Sequence, residues 1–239
     1  MTFAVIVAGG VGLRMNSGAT PKQFLEIHGK PIIVHTLEVF QKSSYIDMIC
    51  VSCHADYLDY MRNLCAHFGL TKVRWVVAGG RSRQESVYHG LSALKEQASD
   101  NDVIIIHDGV RPNIDHDLLG KLSESVNNNG SAIASTPATE THAEVDDSGK
   151  IINVTTRSKA IIAKAPQCFR FGDIYRVHSH AHELGKHDYV DCASMMREYG
   201  YELYTVPCRW DNIKITTPSD FYIFRAILEA RENSQIFGL

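Results

Sequence analysis

The chain has 239 residues, and 24 lysines and arginines stand against 27 aspartates and glutamates, so that the formal net charge is −3. This length allows a sizeable core in one domain, and the charge excludes the broad basic face of a nucleic-acid-binding protein. No apolar run approaches the ~20 residues of a membrane span, and the N-terminus lacks the pattern of a signal peptide. We therefore expect one cytoplasmic domain, residues 1–239, that binds neither nucleic acid nor membrane.

Strand-like and helical patterns alternate over the first half of the chain. Four runs rich in valine and isoleucine predict β-strands, at residues 3–8, 48–53, 73–78 and 102–107. Between them, apolar positions with a 3.6-residue period predict helices, at about 31–43, 55–68 and 86–98. This alternation is typical of βαβ units, so we predict an α/β fold with a mostly parallel sheet.

The pattern changes after about residue 130. Two polar-alternating runs over 143–157 flank the turn signal Asp146-Asp147-Ser148-Gly149, which predicts a β-hairpin. Because a lone hairpin cannot bury both faces, we expect it to leave the main sheet as an arm, at about 138–160. The remaining predicted elements are helices at 171–185 and 191–199, strands at 201–206 and 212–216, and a helix at 219–232.

Glycines and charged residues follow the predicted strands, where open parallel sheets bind their ligands. The loop after the first strand contains Ala8, Gly9, Gly10, Gly12 and Arg14, and the loop after the third strand contains Gly80 and Arg83. The loop after the fourth strand contains Asp108 and Arg111. The last predicted strand begins with the stretch that contains Asp211 and Lys214. We therefore expect these residues to share one rim of the sheet.

The glycine loop after the first strand matches neither common nucleotide motif. Met15 occupies the third position of a dinucleotide fingerprint, and no glycine is followed by the Lys-Ser/Thr pair of a Walker A loop. Close backbone approach together with Arg14 and Lys22 suits a polyphosphate. The alternative is a tight turn with solvated charges.

Two acidic residues and a lysine extend this interpretation. Asp108 stands where a buried strand opens to solvent, which suits a Mg²⁺ ligand opposite phosphates, and Asp211 is a candidate second carboxylate. The alternative for Asp108 is a cap or turn residue. Lys214 lies within an Ile-Lys-Ile alternation, so it is either a site residue or an ordinary strand lysine facing solvent.

Six ordered motifs carry a family resemblance from residue 3 to about 225: AGGVGLRM, PKQF, GGRSRQES, HDGVRP, APQ and DNIKITTP. The chain resembles the 2-C-methyl-D-erythritol 4-phosphate and ribitol 5-phosphate cytidylyltransferases of isoprenoid and teichoic-acid synthesis. The resemblance implies a Rossmann-like nucleotidyltransferase core, CTP and Mg²⁺ as ligands, and a homodimer in which the hairpin arm embraces the partner.

The resemblance also implies roles for individual residues. Ala8, Gly9, Gly10 and Gly12 match the loop around CTP, with Arg14 and Lys22 on its phosphates. Gly80, Arg83 and Ser86 match the cytosine segment, and Lys214 matches a lysine near the α-phosphate. Asp108 matches the metal ligand, and Asp211 a second acidic position nearby. Thr141 and Arg157 match residues that reach the acceptor's phosphate from the other subunit, and we assign Arg111, beside Asp108, to the substrate.

Four positions depart from the family pattern. Ala165 and Val190 replace threonines where the acceptor should bind, Arg81 replaces an acidic residue, and Glu140 replaces an aspartate. The CTP half is therefore retained and the acceptor half altered. We favour ribitol 5-phosphate or a related alditol phosphate of surface polysaccharide as the acceptor, with methylerythritol phosphate as the alternative. The rivals from other classes are a Rossmann NAD(P)-dependent oxidoreductase and a non-catalytic binding module.

Two further groups of residues receive structural interpretations. Cys50 and Cys53 lie within a strand pattern and are predicted to be core thiols. His178 and His182 fall on one side of a predicted helix, and we expect that side to face solvent.

Overall fold

The computed structural model describes residues 1–10 and 20–237, with the side chains described as far as residue 234. The strands within these residues are β1 (Thr2–Ala8), β2 (Glu26–Ile27), β3 (Lys30–Pro31), β4 (Met48–Cys53), β5 (Val73–Ala78), β6 (Val103–Asp108), β7 (Ser131–Pro137), β8 (Ala143–Val145), β9 (Ile151–Val154), β10 (Ile161–Arg170) and β11 (Thr205–Pro207). The α-helices are α1 (Ile32–Lys42), α2 (Leu58–His67), α3 (Arg83–Leu94), α4 (His116–Asn129), α5 (Phe171–Glu183), α6 (Cys192–Glu198) and α7 (Pro218–Phe237).

Seven strands form the central sheet in the order β11-β7-β10-β6-β1-β4-β5. β1 pairs in parallel with β4 and with β6, β5 pairs in parallel with β4, and β11 pairs in parallel with β7. Only β10 runs antiparallel to its neighbours in this sheet. After β1 the chain first adds β4 and β5 on one side and then crosses to add β6 on the other. The carboxyl ends of β1 and β6 therefore flank the point where open α/β sheets bind ligands.

The sheet is buried on both faces because its strands are apolar on both faces. Along β1, Phe3 and Val5 enter the core on one side, and Ala4 and Ile6 enter the core on the other. All four side chains are fully buried. Such strands have few polar positions, as is typical of parallel strands covered by helices on both faces. The rigid centre of the sheet thus fixes the positions at which the loops after β1 and β6 begin.

Most predicted elements are confirmed, and most differences lie in the second half of the chain. The four Val- and Ile-rich strands and the flanking helices are present, whereas α4, β7, β10 and the short strands β2 and β3 were not predicted. The predicted strand at 201–206 is shorter and lies at Thr205–Pro207. The predicted strand at 212–216 is wrong, because this segment pairs with no strand of the described residues and its backbone is held mostly by side chains.

The predicted hairpin is present as β8 and β9. Its turn is closed by the Asp146 carboxylate, which accepts hydrogen bonds from the backbone of Ser148 at 2.9 Å and of Lys150 at 3.1 Å. Gly149 follows in the left-handed conformation with φ +83°. The hairpin leaves the central sheet, and its apolar side chains are more than half exposed: Val145, Ile151, Ile152 and Val154.

Burial settles the two remaining structural interpretations. Cys50 and Cys53 are buried in the core, as predicted. The solvated side predicted for His178 is wrong, because its ring is 1% exposed between α5 and α6 and its Nε2 lies 3.7 Å from Cys192 Sγ. His182 is exposed, as expected. Among the helices of the described residues, none combines the length and the apolarity that a membrane span requires.

Candidate active site

A cleft of about 350 Å³ opens beyond the carboxyl ends of β1, β5 and β6. Many of the predicted site residues line it together: Ala8, Gly9, Gly10, Lys22, Gly80, Arg83, Ser86, Asp108 and Lys214. Gln23, Arg81 and Thr216 also line it. The predicted convergence of loops at one rim of the sheet is therefore present, although the roles of individual residues stay predictions.

Asp108 ends β6 at the floor of this cleft and is bound by three cations. Arg83 Nε lies 3.2 Å from its Oδ1, Arg111 Nε lies 3.0 Å from its Oδ2, and Lys214 Nζ lies 3.2 Å from the same Oδ2. The three cations come from the start of α3, from the loop after β6 and from the segment before α7. One carboxylate thus ties together three parts of the chain that are remote in sequence.

The electrostatics of Asp108 follow from this arrangement. Burial by itself would raise the pKa of the carboxyl, but the charges of Arg83, Lys214 and Arg111 outweigh it and hold the pKa of Asp108 far below its ordinary value. Asp108 is therefore ionised at any physiological pH. It cannot act as a general acid or base, and its chemistry is that of a fixed negative charge.

His107 holds the backbone of Arg111, one of the three cations of this cluster. Its ring is fully buried, and Nε2 donates to the carbonyl of Arg111 at 2.9 Å, because a carbonyl oxygen can only accept. Burial lowers the pKa of His107 to about 4, so the ring is neutral at pH 7. Arg111 also donates through Nη1 to the carbonyl of Asn212 at 3.0 Å, so its guanidinium joins Asp108 to the segment that carries Lys214.

Ser86 connects the two glycine-containing loops. Its hydroxyl accepts from the backbone of Gly80 at 3.0 Å and donates to the carbonyl of Ser82 at 2.9 Å. A Cβ on Gly79 would lie 2.9 Å from this hydroxyl, and one on Gly9 would lie 3.1 Å from it. The glycines therefore let the loop after β1 and the loop after β5 approach each other, and Ser86 shapes the wall of the cleft.

The residues of the PKQF motif attach a third segment to the site. Gln23 is buried, and its Nε2 donates to the carbonyl of Ala8 at 2.7 Å, which fixes the end of β1. Lys22 Nζ donates to the carbonyl of Ile215 at 3.0 Å while it lines the cleft. Gly12 and Arg14, predicted to wrap and bind phosphates, lie outside the described residues.

Four predicted residues in the described part of the chain do not line this cleft: Arg111, Asp211, Thr141 and Arg157. Arg111 contacts the cleft through Asp108. Both carboxylate oxygens of Asp211 are bound by Arg209, at 3.0 and 2.8 Å, and Asp211 is not part of the cleft lining. Thr141 and Arg157 lie exposed on the arm and do not line the cleft of their own chain. Their predicted contact with an acceptor phosphate from another subunit stays a prediction.

The donor set fits a magnesium ion that arrives with a nucleotide. Mg²⁺ takes one or two carboxylates together with phosphate oxygens and water. Asp108 is the carboxylate in the described lining, and no group of three or more Cys, His, Asp or Glu residues in the described parts of the chain could hold a metal by itself. In this arrangement Asp108 alone is placed for the ion, and the predicted role of Asp211 as a second ligand stays a prediction.

Sequence reasoning missed Arg81 as a cleft residue. The sequence places Arg81 in the loop after the third strand and marks it as a departure from the family pattern, but assigns it no role. It lines the cleft, and no ion pair in the described part of the chain involves its guanidinium. Its place after a strand-ending Gly79-Gly80 pair was the signal that could have found it.

The fold and the cleft define a class of protein. Two loops bring glycine backbone into a cleft at the switch point of the sheet, which is the place beside β1 where the order of strand addition reverses. Lysine and arginine side chains surround a single carboxylate there. This combination is that of a nucleotide-binding α/β enzyme that acts on phosphates. A family model extends this conclusion: the chain belongs to the family described as 2-C-methyl-D-erythritol 4-phosphate cytidylyltransferase, whose model matches residues 2–230.

Relatives with different acceptors resemble the chain to different degrees. It is 50% identical over 239 residues to a ribitol-5-phosphate cytidylyltransferase of Streptococcus agalactiae serotype V, with all of both chains covered. A protein of that name from Vibrio parahaemolyticus is 44% identical, again over all of both chains. A 2-C-methyl-D-erythritol 4-phosphate cytidylyltransferase of Geobacter metallireducens is 37% identical over 96% of this chain and 98% of its own.

Solved structures agree with the fold. The crystal structure of 4-diphosphocytidyl-2C-methyl-D-erythritol synthase from Anaerococcus prevotii has a TM-score of 0.82 at 25% identity, covering 95% of this chain and 96% of its own. The chain is therefore an enzyme of the nucleotidyltransferase class. These similarities favour the cytidylyltransferase interpretation over the oxidoreductase and the non-catalytic module.

Proposed function

We propose that this enzyme transfers CMP from CTP to ribitol 5-phosphate, or to a closely related alditol phosphate, and releases pyrophosphate. The observation that carries the proposal is the cation cluster around Asp108 at the switch point of the sheet, which suits a nucleoside triphosphate. Identity of 50% over the full length to a ribitol-5-phosphate cytidylyltransferase supports the choice of acceptor. Because CTP is available in the cytoplasm, the proposed reaction also favours a cytoplasmic location for the enzyme.

The reaction needs no covalent intermediate on the enzyme. An anionic phosphate oxygen of the acceptor attacks the α-phosphorus of CTP, a new P–O bond forms, and the bond from the α-phosphorus to the bridging oxygen breaks as pyrophosphate leaves. The reactants are both anions, so the enzyme must bring two repelling groups together and stabilise the charge on the α-phosphoryl oxygens. Lys22 and Lys214 line the cleft where this charge develops, and Arg14 of the glycine loop is assigned the same role.

Magnesium belongs to the proposal through Asp108. When bound, the ion would offset the negative charge of the phosphate groups. Asp108 would hold it, exchanging part of its contact with Lys214 for the ion. Lys214 Nζ, now 3.2 Å from Asp108, would then be available to the α-phosphate.

The arm supports the proposal of a homodimer. Four apolar side chains of the hairpin are more than half exposed: Val145, Ile151, Ile152 and Val154. A two-stranded hairpin is marginal by itself, and an exposed apolar strand is an aggregation hazard unless it is covered. A second copy of the chain that covers this hairpin would bring Thr141 and Arg157 toward the partner's cleft, where we assign them to the acceptor phosphate.

A pyrophosphate-release assay with CTP and Mg²⁺ tests the proposal. We expect release with ribitol 5-phosphate, and at most slow release with methylerythritol phosphate. The family model and the relatives at 37% identity make methylerythritol phosphate the second candidate. Selective release with that acceptor would overturn our choice of acceptor. No release with either acceptor, or with other alditol phosphates, would overturn the proposed reaction. Light scattering on the purified chain tests the dimer.

A further inference from the structure

The segment that carries Lys214 is held in place by side chains rather than by the sheet. We call residues 210–215 the Lys214 segment. Its last residue donates to the loop after β6, from the Ile215 backbone to the Val110 carbonyl at 2.9 Å. Three successive carbonyls before that, of Trp210, Asp211 and Asn212, accept from side chains of other parts of the chain. The position of Lys214 against Asp108 therefore depends on these side-chain donors.

Lys164 is the donor that bonds two of the three carbonyls. Its Nζ lies 3.0 Å from the carbonyl oxygen of Trp210 and 3.3 Å from that of Asn212. The Asn212 amide reciprocates by donating to the carbonyl of Ala165 at 2.8 Å. Three hydrogen bonds thus join β10 to the Lys214 segment, and two of them belong to Lys164.

An irregularity in the sheet aims Lys164 at this segment. The register between β10 and β7 shifts between Ala163 and Gln167, so Lys164 leaves the regular ladder. Bulges of this kind redirect a side chain away from the face that simple alternation would give it. The strand that returns from the arm therefore presents its lysine to the backbone of residues 210–212.

Lys164 is also connected to Asp108 and Lys214 through one shared acceptor, the carbonyl oxygen of Asn212. The Asn212 carbonyl accepts from both Lys164 and Arg111, and Arg111 binds Asp108, which in turn binds Lys214. Burial lowers the pKa of Lys164, as expected for an ammonium group drawn in from solvent. An ammonium group has three N–H donors, and Lys164 uses two of them for backbone carbonyls. Its contacts in this structure are therefore with the chain itself.

We propose that Lys164 is a positioning residue for the transfer step: it fixes the Lys214 segment so that the Lys214 ammonium meets the α-phosphate. The inference rests on the proposed function and adds a residue to it. In this role Lys164 binds the backbone of the Lys214 segment and needs no contact with either substrate. Its effect reaches the reaction only through Lys214, and this makes the inference separable from a role in binding the acceptor.

The first test is Lys164→Met, which keeps the length of the side chain and removes its donors. A displacement of about 1 Å at a catalytic group can cost on the order of 100-fold in rate. We expect kcat to fall by about 10- to 100-fold, while KM for CTP and KM for the acceptor change by less than about threefold. Lys164→Arg, which can still donate to both carbonyls, should recover most of the loss. Lys121→Met, at an exposed position of α4, is the matched control and should behave as wild type.

The decisive measurement is a double-mutant cycle with Lys214→Ala. If Lys164 acts through Lys214, the double variant turns over no more slowly than Lys214→Ala alone. Losses that multiply would overturn the inference, because Lys164 would then act independently of Lys214. A rise of tenfold or more in the acceptor KM with unchanged kcat would also overturn it and would make Lys164 an acceptor ligand.

Two further measurements keep the result interpretable. Thermal unfolding of each variant is recorded, and if Lys164→Met does not fold, Lys164→Gln, which keeps one donor group, enters the same cycle. Turnover of CTP by the wild-type enzyme with at least one acceptor is measured first. Its absence would refute the proposed function, whereas wild-type turnover with an unaffected Lys164→Met enzyme would refute only the role of Lys164.

Discussion

Replacing Asp108 by asparagine should destabilise the enzyme through the three cations that the carboxylate now compensates. Its side chain is 8% exposed, and those of Arg111, Arg83 and Lys214 are 14, 23 and 36% exposed. At an effective dielectric constant near 20, a pair of unit charges about 3 Å apart attracts by about 5 kcal/mol before desolvation is subtracted. Removing one partner of a buried ion pair costs about 3–5 kcal/mol in practice. We expect about 3 kcal/mol for Asp108→Asn, because two of its partners are partly solvated.

This loss is measurable as a shift in thermal unfolding. For a chain of this length, about 1 kcal/mol corresponds to roughly 2–4 °C in Tm, so Tm should fall by roughly 6–12 °C. Calorimetry or denaturant titration at pH 7 measures the change directly. Asp188→Asn, at an exposed position, is the matched control and should shift Tm by no more than about 1–2 °C, as surface substitutions usually do.

A second substitution separates electrostatics from other causes. In the Asp108→Asn protein the remaining cations repel one another, so adding Lys214→Met should restore part of the lost stability. In the wild-type protein the same Lys214→Met change should destabilise or be neutral. Activity should not return in the double variant, because both groups belong to the reaction. Wild-type stability of Asp108→Asn, or additive destabilisation in the double variant, would refute the reasoning.

Four further outcomes are expected. Lys22→Ala should lower turnover by orders of magnitude with Tm changed by only a few degrees; wild-type rates of product formation would contradict its role on the phosphates. Arg81→Met should raise KM for CTP about 5- to 50-fold with little change in kcat, and an unchanged KM would remove it from the nucleotide site. Burial lowers the pKa of His178 from 6.5 to about 3, so the unfolded chain binds the proton first and stability is lost as pH falls from about 6.5 to 3. His178→Leu should remove about 3 kcal/mol of that acid loss in denaturant titrations at pH 7 and pH 4, and an unchanged pH dependence would mean that the ring is not held neutral. Ile151→Asp on the arm should weaken the dimer in light scattering, and an unaltered mass would contradict the proposed interface.

The strands that build the site could be predicted because each is buried on both faces. The stretch from Val103 to Ile106 is continuously apolar, and an apolar run that ends in a charged residue marks a strand entering a loop. Once Ala8 and Asp108 were placed at the ends of parallel strands, their meeting at one edge followed from topology. The helix α4 could have been predicted as well. It starts at the cap Asp115, whose side chain accepts from the Leu118 backbone, and it ends at Gly130 with φ 84°.

The segment before α7 could not be predicted from local pattern. Ile213, Lys214 and Ile215 alternate as a strand would, and alternation reports only that one side is buried. Ile215 is fully buried, as the alternation requires, yet within residues 1–10 and 20–237 no strand pairs with its backbone. Whether such a stretch joins a sheet depends on which groups elsewhere in the chain bind its backbone. Here the side chains of Lys164 and Asn113 donate hydrogen bonds to its carbonyls, and the positions of these side chains follow from the fold and not from the segment. Tertiary contacts therefore override the local preference.

The charge of the cleft connects these observations to the reaction. The whole chain carries −3, yet four cations and one carboxylate line the described cleft. Without a ligand, Asp108 compensates Arg83 and Lys214 and keeps their side chains in place, so the cluster is held together before the nucleotide arrives. A triphosphate carries more negative charge than one carboxylate, so under the proposed function it would compete with Asp108 for these cations. Preorganised charge of this kind favours the transition state of phosphoryl transfer because little further reorganisation is needed when charge develops. The negative residue at the centre of the site is thus what allows a positive cleft to persist in an acidic protein.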